Sequence, residues 1–97
     1  MIGEKMKVDF FAGLRQIVGQ KTVEIPISEG GTASQLVDEI VRCYPALKRE
    51  LLDEHGNLYG HVHVVINGRD IRYLEGGMER VITCADKVSL FPAIGGG

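Results

Sequence analysis

Hydrophobic and polar residues alternate along four stretches of the chain, which are residues 7–11, 22–27, 61–66 and 87–91. A period of two is typical of strands that bury one face only. In the first stretch Phe10 points toward the predicted core and Phe11 points away from it. In the last stretch Leu90 points inward and Phe91 points outward. The pattern therefore predicts four strands, with a phenylalanine on the outer face of the first and of the last.

One main helix is predicted between Thr32 and Pro45. Thr32 and Gln35 match a capping box, in which each side chain accepts a hydrogen bond from the other residue's backbone N–H. Apolar residues then recur at helical spacing, namely Leu36, Val37, Ile40, Val41 and Tyr44. Pro45 ends the helix because the residue before a proline is disfavoured in the α region. Residues 14–18 lie between Gly13 and Gly19 and predict a helical turn at most, and residues 46–52 predict a further turn.

The order strand, strand, helix, strand, short pieces, strand predicts an α+β architecture. A tight turn is predicted at Asn67-Gly68 between the third strand and a short extended piece. If the last strand returns beside the first, the result is a ubiquitin-like β-grasp, a mixed sheet packed on one main helix. We expect one domain over residues 1–94 and a flexible glycine tail over residues 95–97.

Composition narrows the class of protein. The 97 residues carry a formal net charge of -2, and no basic stripe is present, so we expect no nucleic-acid partner. No apolar run approaches the ~20 residues of a membrane span, and the N-terminus lacks the apolar segment of a signal peptide. The expected location is therefore the cytoplasm. Cys43 and Cys84 are more consistent with two thiols in a reducing compartment than with a disulfide.

The tail Gly95-Gly96-Gly97 follows a strand directly and closes no turn. A run without Cβ atoms can enter a narrow channel that rejects side chains, and the terminal carboxylate is the reactive group it delivers. A carboxylate becomes an acyl donor once ATP converts it to an acyl adenylate. The sequence contains no phosphate-binding glycine loop, so we expect no tightly bound cofactor and expect the partner to use the ATP. A frayed, inert terminus on a binding module is the competing interpretation.

The residues on the outer face of the sheet favour the interpretation that the tail is delivered to a partner enzyme. In a β-grasp the first and last strands are neighbours, so the Phe11 and Phe91 rings would form one apolar patch beside the tail. Exposed apolar patches mark interaction surfaces, and aromatic residues are enriched at their centres. The alternative is that a loop or a terminus covers one of the rings.

Several short motifs resemble the MoaD/ThiS family of ubiquitin-like sulfur carriers, with archaeal-type molybdopterin synthase small subunits as the nearest likeness. The matching motifs extend over nearly the whole chain from Met6, and they are Phe10-Phe11-Ala12, Leu14-Arg15, Val18-Gly19, Tyr44-Pro45, Val65-Ile66-Asn67-Gly68, Asp86-Lys87-Val88 and Phe91-Pro92-Ala93-Ile94-Gly95-Gly96. The resemblance implies adenylation of the C-terminal glycine by an E1-like enzyme and conversion to a thiocarboxylate. It also implies sulfur transfer to a pterin precursor in complex with the molybdopterin synthase large subunit, in molybdenum or tungsten cofactor biosynthesis. By the same resemblance the partner-binding residues are Phe11, Phe91, Pro92, Ile94, Gly95 and Gly96.

The ending departs from the family pattern. The family ends in two glycines and this chain ends in three, so Gly97 is the acyl residue if it is native and Gly96 is the acyl residue if it is not. A ubiquitin-like modifier that is passed to protein lysines shares the same activated glycine and stays open as an alternative. His61 and His63 are two residues apart on one strand face, but two ligands are half a zinc site, so no metal is expected.

Overall fold

The computed structural model describes residues 4–92, and these residues form a mixed sheet with short helices on one face. The strands are β1 (Glu4–Phe10), β2 (Thr22–Ile27), β3 (His63–Ile66), β4 (Arg69–Asp70) and β5 (Val88–Phe91). The helices are α1 (Ala12–Val18), α2 (Ala33–Cys43) and α3 (Lys48–Leu51), and 3-10 turns span Pro45–Leu47, Ile71–Tyr73 and Gly77–Glu79.

The last strand lies in the middle of the sheet. The strand order is β2-β1-β5-β3-β4, and β5 runs parallel to β1 with Val8 opposite Val88. The other neighbouring pairs, β1–β2, β3–β5 and β3–β4, are antiparallel. The predicted β-grasp is therefore confirmed, including the return of the last strand beside the first.

The core lies between the sheet and α2. The inward residues of the strands are fully or almost fully buried, among them Met6, Val8, Phe10, Ile25, Val64, Ile66, Val88 and Leu90. The helix contributes Leu36, Val37 and Ile40 from its apolar stripe. The predicted inward positions of all four alternating stretches are confirmed. The opposite face of the sheet carries no helix within residues 4–92.

Local signals in the sequence fix the ends of two elements. The capping box of α2 is present: the Gln35 N–H donates to Thr32 Oγ1 at 3.2 Å, and the Thr32 N–H donates to Gln35 Oε1 at 2.9 Å. The turn between β3 and β4 places Asn67 at φ 52 and Gly68 at φ 87, which suits a tight hairpin with two left-handed residues. Both predictions are confirmed.

Several boundaries differ from the predictions, and three of the differences have a structural reason. The first strand starts at Glu4, because residues 4–6 pair with the far end of β2, as Glu4 does with Ile27. The third strand starts at His63, since its antiparallel partner β5 ends at Phe91 opposite it. The segment after β1 is a seven-residue helix that includes Gly13, rather than a turn bounded by it. Burial of Leu14 outweighs the helix penalty of glycine, which is about 1 kcal/mol.

Within residues 4–92, no helix has the length and apolar character that crossing a membrane would require.

Candidate docking surface

Two phenylalanine rings stack on the outer face of the sheet. Phe10 and Leu90 are register partners in the parallel pair β1–β5, so the next residues, Phe11 and Phe91, are also side by side. The ring centroids are 4.3 Å apart and the planes differ by 10°. Each ring is half-buried, because each covers a face of the other. The predicted neighbourhood of the two rings is confirmed, and we call this pair the aromatic patch.

The backbone around Phe11 holds its ring in place. The Phe11 N–H donates to the Leu90 carbonyl at 3.2 Å, which continues the β1–β5 ladder by one residue. Ala12 then has a positive φ of 53, and the chain leaves the sheet for α1. The Lys21 ammonium lies 5.8 Å from the centre of the Phe11 ring, within the range of a cation–π contact. The patch is thus bordered by a cation on the β2 side.

The aromatic patch lies where the chain leaves the sheet toward its C-terminus. Pro92 follows β5 directly, is half-buried, and has no N–H to extend the ladder. Of the residues predicted to bind a partner, Phe11, Phe91 and Pro92 are described, and they are brought together at one end of the sheet. The other predicted site residues, Ile94, Gly95, Gly96 and Gly97, lie outside the described residues. The roles of all seven, and the division into a domain over 1–94 and a tail over 95–97, remain predictions.

The opposite border of the patch is a histidine–aspartate pair. His63 is the register partner of Phe91 on β3. Its Nδ1 lies 2.8 Å from Asp70 Oδ2, and Asp70 Oδ1 accepts a hydrogen bond from the Arg72 N–H at 2.9 Å. Partial burial raises the pKa of Asp70, but the hydrogen bonds from Arg72 and His63 outweigh it, and the pKa lies below its ordinary value. Asp70 is therefore a carboxylate at neutral pH.

Small polar residues separate the aromatic patch from the charged end of the outer face. Ser89 lies between Asp9 and Val65 in the sheet register and is 8% exposed, so this outward residue is nearly buried by its neighbours. Asp9 accepts a hydrogen bond from the Thr22 hydroxyl at 2.6 Å. No buried side-chain polar atom of residues 4–92 lacks a hydrogen-bond partner. In this part of the outer face, the buried polar side-chain atoms already have hydrogen-bond partners within the protein.

The two histidines that were predicted to share a strand face, His61 and His63, have different neighbours. His61 stacks on the Tyr59 ring with centroids 4.9 Å apart, whereas His63 is bonded to Asp70. No cluster of three or more histidine, cysteine or acidic side chains arranged to hold a metal ion occurs in the described part of the chain.

Both cysteines are free thiols on the surface. Cys84 Sγ donates to Glu4 Oε1 at 2.9 Å, and this hydrogen bond raises the pKa of the Cys84 thiol. A raised pKa lowers the fraction of nucleophilic thiolate at neutral pH. The hydrogen bond between Cys84 and Glu4 connects the loop before β5 to the start of β1.

The His63–Asp70 pair was missed from the sequence, although a signal was present. A two-residue turn at Asn67-Gly68 pairs Ile66 with Arg69 and Val65 with Asp70. His63 is then a diagonal neighbour of Asp70 on the same face, close enough for a long side chain to reach. The Lys21 contact had no such signal, since it depends on the path of the chain between α1 and β2.

The sequence matches a known family over most of its length. The model of the ThiS family matches residues 8–97. Small archaeal modifier protein 3 from Haloferax volcanii is 31% identical over 93 residues, which cover 96% of this chain and 99% of the relative. The sulfur carrier protein CysO from Mycobacterium tuberculosis is 30% identical over 81% of this chain and 83% of its own length.

Solved structures share the whole fold. The crystal structure of small archaeal modifier protein 1 from Haloferax volcanii superimposes with a TM-score of 0.84 at 28% identity, covering 97% of this chain and 100% of that one. The BexX/CysO complex of Amycolatopsis orientalis gives 0.76 at 28%, covering 95% and 99%. A Pyrococcus furiosus protein described as a molybdopterin converting factor subunit 1 gives 0.73 at 29%, covering 93% and 98%.

The fold and the aromatic patch beside the C-terminal exit define a ubiquitin-like β-grasp protein. Within that class, the chain belongs to the ThiS family. The relatives and neighbours found here are sulfur carriers and ubiquitin-like modifiers, so this chain is a member of the sulfur-carrier and modifier group.

Proposed function

We propose that the protein is a sulfur carrier in molybdenum or tungsten cofactor biosynthesis and acts as the small subunit of molybdopterin synthase. Its C-terminal glycine is adenylated by an E1-like enzyme, converted to a thiocarboxylate, and inserted into the synthase large subunit. The observation that carries the proposal is the Phe11–Phe91 stack at the point where β5 leads to Gly95-Gly96-Gly97. The likeness to the Pyrococcus furiosus protein supports the choice of pathway.

The chemistry needs two co-reactants that the partners supply. The terminal carboxylate oxygen attacks the α-phosphate of ATP, which gives an acyl adenylate and releases pyrophosphate. Sulfide then attacks the acyl carbon, a C–S bond forms, and AMP leaves with the former carboxylate oxygen. Transfer of the sulfur to the pterin precursor, with water supplying oxygen, returns the carboxylate. The carrier itself needs no tightly bound cofactor, and the use of ATP favours the cytoplasm as the location.

The aromatic patch supplies the affinity that positions the tail. Apolar area removed from water contributes roughly 25 cal/mol per Å², and large aromatic side chains contribute most where they are central and fully covered. Phe11 and Phe91 already lie in contact, so a partner covers both without reordering either. Pro92 has a φ fixed near -65°, which limits the directions in which the chain can leave β5.

A protein modifier is the second candidate. A lysine amine displaces AMP from the same acyl adenylate and forms an isopeptide bond instead of a thiocarboxylate. The 31% identity to small archaeal modifier protein 3 favours this candidate. The two functions share every step as far as the adenylate, so the same aromatic patch serves the activating enzyme in both.

Intact-mass analysis distinguishes the sulfur carrier from the protein modifier. The full chain is incubated with the E1-like enzyme of its source organism, ATP and a sulfide donor. A mass gain of one oxygen-to-sulfur exchange supports the sulfur carrier, and branched glycine remnants on lysines of other proteins support the modifier. An unchanged mass in the presence of active enzyme would contradict both functions and leave a binding module with an inert tail.

Two variants test which residues matter. Removal of Gly97 moves the terminal carboxylate to Gly96, and the chain length that accepts sulfur identifies the native acyl residue. Phe91→Ala should reduce the rate of adenylation at limiting carrier concentration. Tyr73→Ala is the matched control, because Tyr73 is an aromatic residue, 86% exposed, that follows β4 at the far edge of the sheet. Equal loss in both variants would contradict a role for the aromatic patch.

A further inference from the structure

The Phe11 ring has different neighbours on its two sides. Strand β1 lies between β2 and β5 in the sheet, so Phe91 approaches the ring from β5 and Lys21, which immediately precedes β2, approaches it from the other side. The Phe91 centroid is 4.3 Å from the Phe11 centroid, and Lys21 Nζ is 5.8 Å from it. A protein that covers the aromatic patch therefore also meets the Lys21 ammonium.

The backbone of Lys21 is fixed, whereas its side chain is exposed. The Lys21 carbonyl accepts a hydrogen bond from the Phe10 N–H at 2.7 Å, which extends the β1–β2 ladder by one residue. The residue itself is exposed to water. A lysine stem can lie along apolar surface while its ammonium stays in water. The sheet thus sets where this charge is presented, and the charge remains accessible to a partner.

The Lys21 ammonium has no counter-charge in the described part of the chain, where no carboxylate lies within 4.0 Å of it. Asp9, on the same face of β1 as the aromatic patch, accepts a hydrogen bond from the Thr22 hydroxyl. Residues 10–23 contain two cations, Arg15 and Lys21, and no acidic residue, although the whole chain has a net charge of -2. This border of the patch is therefore locally positive and complements an acidic surface.

We propose that Lys21 is a specificity-determining contact for the E1-like enzyme, which places a carboxylate against this ammonium when it covers the aromatic patch. The inference rests on the proposed function for the occupant of the patch, and both candidate functions need this enzyme. It goes beyond that function by naming a residue and the chemistry that it recognises. A charge at the rim of an interface acts mainly on the association rate and its salt dependence.

Stopped-flow association of the full chain with the E1-like enzyme of its source organism tests the proposal. Lys21→Met keeps an apolar stem beside Phe11 and removes the charge. We expect its association rate constant to be about three- to fivefold lower than that of wild type at an ionic strength of about 0.1 M. The difference should disappear at about 1 M, because the Debye length falls from about 10 Å to about 3 Å.

Three further variants separate this role from a structural one. Lys21→Glu reverses the charge and should lower the rate further, by about tenfold, whereas Lys21→Arg keeps the charge and should retain the wild-type rate. Lys48→Met is the matched control, because Lys48 is an exposed lysine on α3, among the helices on the opposite face of the sheet. It should associate at the wild-type rate at both ionic strengths. Circular dichroism melting checks that each variant is folded.

The outcomes are distinguishable from failure of the proposed function. Equal losses in Lys21→Met and Lys48→Met would overturn the contact alone, since a general charge effect would then explain both. A loss in Lys21→Met that persists at about 1 M would overturn the carboxylate as its partner group. Unchanged or faster association of Lys21→Met would mean that the enzyme makes no use of this ammonium. No association of the wild-type chain at either ionic strength would overturn both proposals.

Discussion

Phe10 and Phe11 are neighbours in the chain, yet they lie on opposite faces of the sheet in different surroundings. The Phe10 ring is 0% exposed in the core between the sheet and α2. The Phe11 ring is half-buried, and its ring contact is with Phe91. Leu90 and Phe91 repeat the contrast on the neighbouring strand. Successive residues of a strand face opposite sides of the sheet. A ring that stabilises the core is therefore followed directly by a ring that is available to a partner.

The position of an aromatic residue in the sheet, and not its residue type, decides its role here. On the inner face, removing a ring leaves a cavity among close-packed neighbours. On the outer face, a removed ring is replaced by water. The inner ring should therefore affect stability, and the outer ring should affect binding.

The largest expected effect is on the inner face. Phe10→Ala should lower the free energy of unfolding by about 3–5 kcal/mol, because a fully buried ring is lost and its site cannot collapse completely. Urea denaturation followed by circular dichroism measures the change. A loss of stability smaller than that of Phe11→Ala would contradict the assignment of the inner ring to the core.

The next effect concerns the outer face. Phe91→Ala should weaken binding of the E1-like partner by about 2 kcal/mol, which is about 30-fold. Its free energy of unfolding should fall by only about 1 kcal/mol, the scale of one aromatic pair. Calorimetric titration and urea denaturation on the same sample give both numbers. A large loss of stability with unchanged binding would assign this ring to the core.

A smaller effect on stability is expected at Asp70, in the polar part of the outer face. The pKa of Asp70 is lowered on folding, so its stabilisation is fully present above its unfolded pKa and is lost as pH falls through the lower folded value. Asp70→Asn should cost about 1 kcal/mol at pH 7, the scale of one hydrogen bond. The difference from wild type should shrink in urea titrations carried toward pH 2. A constant difference across this range would mean that the loss does not depend on the charge.

The smallest effect is expected on the solvent side of α2. Glu39 accepts hydrogen bonds from Arg42, one of them at 2.6 Å, but the pair lies on the helix surface. Exposed pairs lose side-chain freedom and are screened by salt, so they contribute little. Arg42→Ala should leave the melting temperature unchanged within error. A clear decrease in the melting temperature would show that this exposed ion pair contributes to stability.

Much of the fold follows from patterns that are local in sequence. Alternation identified the inner and outer residues of β1, β2, β3 and β5, and the capping box located the start of α2. Asn67-Gly68 located the hairpin, because few residues other than asparagine and glycine accept two successive left-handed conformations. These features depend on backbone conformation and burial, which nearby residues determine.

The parts that were not predicted depend on tertiary contacts. The helix Ala12–Val18 contains a glycine and forms because Leu14 is buried, which its own propensity does not reveal. Ser89 lies on the outer face of β5, yet it is nearly buried by its cross-strand neighbours. The borders of the candidate site, Lys21 and the His63–Asp70 pair, join residues from different elements and require the sheet to be assembled.

The central place of β5 in the sheet links synthesis to readiness for activation. A growing chain that has not yet produced residues 88–91 lacks the strand between β1 and β3, so its two half-sheets have no shared ladder and Phe11 has no ring to stack on. Contacts so distant in sequence form late, because a long loop must close before they are made. The aromatic patch and the C-terminal glycines therefore become available together. An activating enzyme that recognises both would not bind an unfinished chain.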